Sequence, residues 1–140
     1  MSHYNGTECP FCEGGVLHEE VRDQEYTYQA HILLLQQPGV YCNSCDESIL
    51  EAEHLKATRI TLQAFRARID GLLGPLEIKR IRKRIGLNQK QAGQIFGGGK
   101  NAFSRYEQGE VSPSKPLSML FSLFNKHPNL VDEVRELERA

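Results

Sequence analysis

The spacing of apolar residues changes twice along the chain. Between residues 16 and 35 apolar and polar positions alternate. Val16 to Val21 and Tyr26 to Leu35 read as strands, the second with Tyr26, Tyr28, Ala30, Ile32 and Leu34 at period two, the signature of a half-buried strand. Arg22-Asp23-Gln24-Glu25 reads as the hairpin turn between them, and Gln37-Pro38-Gly39 as punctuation before Val40-Tyr41-Cys42. From Ser48 to Leu73 the period becomes helical, with Leu55, Leu62, Phe65, Ile69 and Leu72 on one stripe. Gly71, Gly74 and Pro75 end that helix and mark a hinge.

Beyond the hinge the pattern predicts five more helices. The first spans Leu76 to Ile85, with Leu76, Ile78, Ile81 and Ile85 inward and Gly86 at its end. Asn88 stands where an N-cap is wanted for a short helix over Gln89 to Phe96. Gly97-Gly98-Gly99 makes a tight turn into a helix over Lys100 to Gln108, stopped by Gly109. After Ser112-Pro113-Ser114, the residues Leu117, Met119, Leu120, Phe121, Leu123 and Phe124 mark an apolar helix. A last one follows Asn129, with Leu130, Val131, Val134 and Leu137 along one side. The expected fold class is α+β. A small antiparallel β domain with a connecting helix (residues 1–73) precedes an all-α five-helix domain (residues 74–140) built on a helix-turn-helix.

Charge separates these halves further. The net charge of −1 over 140 residues divides into −6 for residues 1–75 and +5 for residues 76–140. Such asymmetry points to two modules with different partners, the basic one a polyanion binder. Hydrophobic content of 39% and charged content of 25% exclude wholesale disorder. No apolar run approaches membrane-spanning length, and the opening residues lack a secretory signal, so a cytoplasmic protein with no membrane partner is expected.

Cys9, Cys12, Cys42 and Cys45 form two CxxC pairs with 29 residues between them. A CxxC turn presents two thiolates to one ion, and two such turns complete a tetrahedron. The spacing therefore points to one structural zinc per chain; four thiolates leave no open position for a reacting water. Iron with the same ligands stays open at this stage. A thioredoxin-like redox enzyme accounts for one CxxC but not two, so no enzymatic activity is expected. His3 and His18, near the first pair, read as solvated surface residues.

In the basic half, Asn101 and Arg105 lie four apart on one helical face. Asparagine pairs bidentately with adenine and arginine with guanine in the major groove, so these two are the expected base contacts. Gln89 and Lys90 open the preceding helix. With Lys83, Arg84, Lys100 and Ser104 they are the expected phosphate or flanking contacts, which set register rather than sequence. Arg82 and Glu107 read as a partly buried ion pair tying the first helix of this half to the third. The last helix, after Asn129, is apolar for its short length and suits a homodimer contact, since helix-turn-helix proteins commonly read two half-sites as dimers.

The order of these features resembles a known family. Cys9-xx-Cys12, then Cys42-xx-Cys45 followed by Asp46-Glu47-Ser48-Ile49, then the run IRKRIGLNQKQAGQIFGGGKNAFSRYEQG from Ile81 to Gly109, is similar to the MqsA (YgiT-type) antitoxins. The second half alone resembles the wider Xre/Cro-type DNA-binding domains. The resemblance implies an antitoxin of a type II toxin–antitoxin module. Its zinc-bearing N-terminal domain would neutralise an mRNA-cleaving toxin ribonuclease. Its C-terminal domain would dimerise and repress its own operon at a palindromic operator in double-stranded DNA. It also implies that the asparagine and arginine of the NAFSR motif, here Asn101 and Arg105, contact bases. The competing expectations are a zinc-containing helix-turn-helix regulator without a toxin and an interaction adaptor with a degenerate helix-turn-helix.

Overall fold

The computed structural model describes residues 2–139. The chain divides into two compact units, Met1–Thr58 and Arg59–Ala140.

The first unit is a three-stranded antiparallel sheet in the order β1-β2-β3, with β1 at Leu17–Tyr28, β2 at His31–Cys42 and β3 at Ser48–Ile49. The hairpin turn is not at Arg22–Glu25, where β1 runs on without interruption. It lies at Gln29 and Ala30, which adopt φ of +46° and +66°, as a two-residue loop matching the strand twist requires. No Asn-Gly marks that turn, so propensity was silent there. The displaced turn also reverses the expected alternation. In the true register Tyr28 pairs with His31 and Tyr26 with Leu33, so the tyrosines share a face with Leu33 and Leu35. Ile32 and Leu34 point the other way and are 63% and 67% exposed.

β2 continues through Pro38-Gly39 instead of stopping there. A Cβ on Gly39 would lie 2.5 Å from Leu50 Cδ2, so glycine lets the chain after β3 close over the strand. Because Ser48–Ile49 pairs with Tyr41 and Val40, the helix starts later than expected, as α1 at Ala52–Asp70. In this unit the buried positions of α1 are His54 and Thr58 rather than Leu55, which is 49% exposed. Gln37, buried on β2, explains the choice. Its Nε2 donates to the His54 carbonyl at 2.9 Å and its Oε1 accepts from Thr58 Oγ1 at 2.9 Å. Tyr41 Oη donates to the Gln37 carbonyl at 2.6 Å. A polar clip, fully paired as burial demands, thus joins sheet and helix where an apolar stripe was expected.

The second unit contains the rest of α1, then α2 (Pro75–Arg84), α3 (Gln89–Phe96), α4 (Ala102–Glu107), α5 (Lys115–Lys126) and α6 (Leu130–Arg139). Gly74 and Pro75 begin α2 directly: Gly74 is its N-cap residue, and the Glu77 carboxylate accepts the Gly74 N–H at 3.3 Å. Asn88 caps α3 through Oδ1 on the Gln91 N–H at 2.8 Å, and Gln91 reciprocates on the Asn88 N–H at 2.9 Å, a complete capping box. Ser114 caps α5 through Oγ on the Leu117 N–H. Ile78, Ile81, Ile85, Leu87, Ala92, Phe103, Phe121 and Phe124 form the core, with Phe96 edge-on to Phe121 at 5.1 Å. Leu76, expected inward, is 66% exposed; two residues before Ile78, it lies across the helix from the Ile78–Ile81–Ile85 stripe.

Candidate metal centre and nucleic-acid interface

The two CxxC segments meet at one end of the sheet. Cys9 Sγ lies 3.7 Å from Cys45 Sγ and Cys12 Sγ 3.6 Å from Cys42 Sγ, and all four sulfurs fall within 4.8 Å of one another. A tetrahedron with ~2.3 Å zinc–sulfur bonds has edges of ~3.8 Å, so the cluster is sized to hold such an ion. Backbone N–H groups point at the sulfurs: Phe11 at Cys9 (3.4 Å), and both Ser44 and Cys45 at Cys42 (3.3 Å each). Gly15 completes the cradle. A Cβ there would sit 2.4 Å from Cys42 Sγ and 2.7 Å from Cys12 Sγ.

The thiols titrate apart. The N–H donors of Ser44 and Cys45 bring Cys42 down to about 6, while the hydrogen bond with Cys42 and desolvation push Cys12 up to about 12. Four sulfurs this close do not all ionise without a cation among them, and a divalent ion is what relieves them. The arrangement is suited to hold a metal; four thiolates on one ion would leave no open position for catalysis.

The basic unit places α3 and α4 around the triple-glycine turn. Gly97, Gly98 and Gly99 all have positive φ, at 94°, 89° and 84°, which only glycine adopts cheaply in succession. The turn packs so closely on α3 that a Cβ on Gly93 would lie 2.0 Å from the Gly99 carbonyl oxygen. Buried Ala102 and Phe103 anchor α4 inward, leaving Asn101 and Arg105 exposed one turn apart. Asn101 occupies the N-cap position, yet its side chain makes no capping hydrogen bond. Lys83, Arg84, Lys90 and Lys100 are exposed as well.

Two of the flanking residues are already engaged. Ser104 Oγ accepts from Gln108 Nε2 at 3.0 Å, and Gln89 Nε2 donates to Glu107 Oε1 at 3.3 Å. Glu107 also receives Arg82 through Nε and Nη2, both at 2.8 Å, with the two side chains only 8% and 4% exposed. Arg82 gives its remaining nitrogen to the Leu87 carbonyl at 2.9 Å. One carboxylate therefore fixes α4 against both α2 and the start of α3. The tie to Gln89, and the packing roles of Gly15 and Gly93, have no sequence signature; each depends on what the fold brings opposite them.

Comparison with known proteins decides the family. The model for the antitoxin component of the bacterial toxin–antitoxin system, MqsA, matches residues 7–135. The chain belongs to the MqsA antitoxin family. Antitoxin MqsA of Escherichia coli (strain K12) is 38% identical over 130 residues, covering 91% of this chain and 99% of that relative. The solved N-terminal domain of the E. coli protein MqsA is 32% identical over 46% of this chain and 98% of its own length, with a TM-score of 0.42. The α+β architecture, the four-cysteine cluster and the helix-turn-helix are those of a DNA-binding antitoxin, a regulator rather than an enzyme. Among the described residues no helix is long and apolar enough to cross a membrane.

Proposed function

We propose that this MqsA-family antitoxin binds double-stranded DNA by laying α4 in the major groove, with Asn101 and Arg105 on base edges. The observation that carries this reading is an exposed asparagine left free at the head of a helix whose other face is locked into the core. Had the residue merely capped α4, its amide would be spent there. Lys83, Arg84, Lys90 and Lys100 surround that surface with positive charge and serve as phosphate contacts, while Gln89 and Ser104 flank it. Arg82 and Glu107 hold the reading helix at its angle.

A six-residue helix reads few base pairs, so two copies are needed for a palindromic operator. The groove lined by Leu72, Leu73, Ser118, Met119, Ser122 and Leu123, with Met119 61% exposed, contains no charged residue and is the face for a homodimer. The four cysteines hold one zinc per chain. The toxin, an mRNA-cleaving ribonuclease, takes the first unit, where Ile32 and Leu34 are exposed near the hairpin tip within an acidic half that suits a basic partner. The chain then represses its own operon.

Footprinting of the full chain on DNA upstream of its own gene tests this, with and without the product of the adjacent gene. Protection of a palindrome, lost in Asn101→Ala and Arg105→Ala, is expected. Protection without any complex with the adjacent product would instead leave a zinc-containing regulator with no toxin. No protection by folded, metal-loaded protein would overturn the DNA reading.

A further inference from the structure

Cys42 is the joint of the metal centre. It ends β2, one residue past Tyr41↔Ser48, the last pair with β3. Its sulfur accepts two backbone N–H groups. Beyond it the chain must turn at once to present Cys45. The orientation of the Cys42 peptide therefore sets where both sulfurs of the second knuckle fall. A side chain from another strand holds that peptide. Arg22, on β1, donates Nη2 to the Cys42 carbonyl at 3.2 Å. Its guanidinium lies over the Tyr41 ring, 4.6 Å from the centroid, and its Nε donates to Glu20 Oε1 at 2.6 Å. Tyr41 is itself 2% exposed and pinned to the Gln37 carbonyl, so the platform beneath Arg22 is rigid.

We propose that Arg22 is a positioning residue for the metal centre. It fixes the Cys42 carbonyl, and so lays its positive charge against the backbone of one ligand of a cluster that would carry two net negative charges with four thiolates on a divalent ion. Arginine suits the place because a planar guanidinium can stack on the ring and still direct separate N–H groups at a carbonyl and a carboxylate. Lysine supplies the charge but neither the plane nor the fork. Partners of metal ligands typically tune affinity by ~10–100-fold. The inference rests on the metal-centre reading above.

The test is the rate at which the intact zinc-loaded chain gives its ion to excess chromogenic chelator, for the wild type, Arg22→Gln, Arg22→Lys and Glu20→Gln. Arg22→Gln is expected to release zinc ~10-fold faster, Arg22→Lys at an intermediate rate, and Glu20→Gln no faster than wild type. In cobalt-loaded Arg22→Gln the thiolate-to-metal charge-transfer band should move to lower energy while the tetrahedral ligand-field bands persist. A purely structural cross-strand contact would not shift that band. Wild-type release in Arg22→Gln, or equal acceleration in Glu20→Gln, overturns the proposal for Arg22. If Arg22→Gln does not fold, Arg22→Lys decides alone: release at the wild-type rate overturns it. Absence of metal in the purified wild type would instead defeat the metal-centre reading itself.

Discussion

The Arg82–Glu107 pair makes a quantitative demand, because the two single truncations strand different charges. In Glu107→Ala, Arg82 keeps its bond to the Leu87 carbonyl, and the loss falls at the lower end of the ~3–5 kcal/mol expected for breaking a buried pair. In Arg82→Met, Glu107 keeps, among the described residues, the 3.3 Å contact from Gln89 at 4% side-chain exposure, so the cost is at the upper end, ~5 kcal/mol. The double variant Arg82→Met/Glu107→Met removes both charges and fills similar volume. It should recover most of the loss, since apolar replacement of a buried ion pair is often neutral. Hydrogen exchange on the metal-loaded full chain, read at amides of α2 and α4, measures opening in this unit directly and avoids treating two units as one transition. A double variant as unstable as either single one, or a Glu107→Ala cost below ~1 kcal/mol, would refute the claim that this carboxylate is desolvated and holds α4 in place.

Gly93→Ala forces a methyl into the Gly99 carbonyl, backbone against backbone. It should cost at least ~1–3 kcal/mol and weaken DNA binding, as thermal melting and a mobility-shift titration would show. Arg105→Ala should lose ~1–3 kcal/mol of operator affinity and relax preference at one base pair, while Lys90→Ala should weaken all sequences about equally and lower the salt slope by ~1, both read from binding titrations. The Glu19 carboxyl lies below its ordinary range because the Ser2 N–H and His54 favour its ionised form. Its stabilising contribution is therefore present above the unfolded-state value and lost as pH falls through the folded-state value. The stability gap between wild type and Glu19→Gln, followed by denaturant melts across pH, should be full at neutrality and close in acid.

What the sequence disclosed depended on whether a signal was local. The helix-turn-helix was legible because capping residues, glycine turns and a helical stripe all lie within the segment they organise: Asn88 caps α3 and Gly97–Gly99 form the turn as the residue types require. The four cysteines were legible because two CxxC turns are a local spacing that presents two thiolates each to one ion. The hairpin was misread because its turn is Gln29-Ala30, with residues that seldom take left-handed conformations, while charged Arg22–Glu25 looks like a loop and is strand. At the start of α1, Leu55 looked like core, but the buried positions there are His54 and Thr58, selected by a glutamine 17 residues earlier in the case of His54, while Phe65 further along is buried as expected. Leu76 shows the same limit on a smaller scale: being apolar does not decide which side of a helix meets its neighbour.

One buried apolar cluster of the first unit is Leu17 and Val40 together with Cys9 and Cys42. Half of that cluster are cysteines of the candidate metal centre, so on the reading proposed above ion capture and packing of this end of the sheet are coupled. A newly made chain short of metal would lack the ion that packs this end of the sheet. The supply of a trace element would then set how much competent antitoxin exists, independently of how much is synthesised.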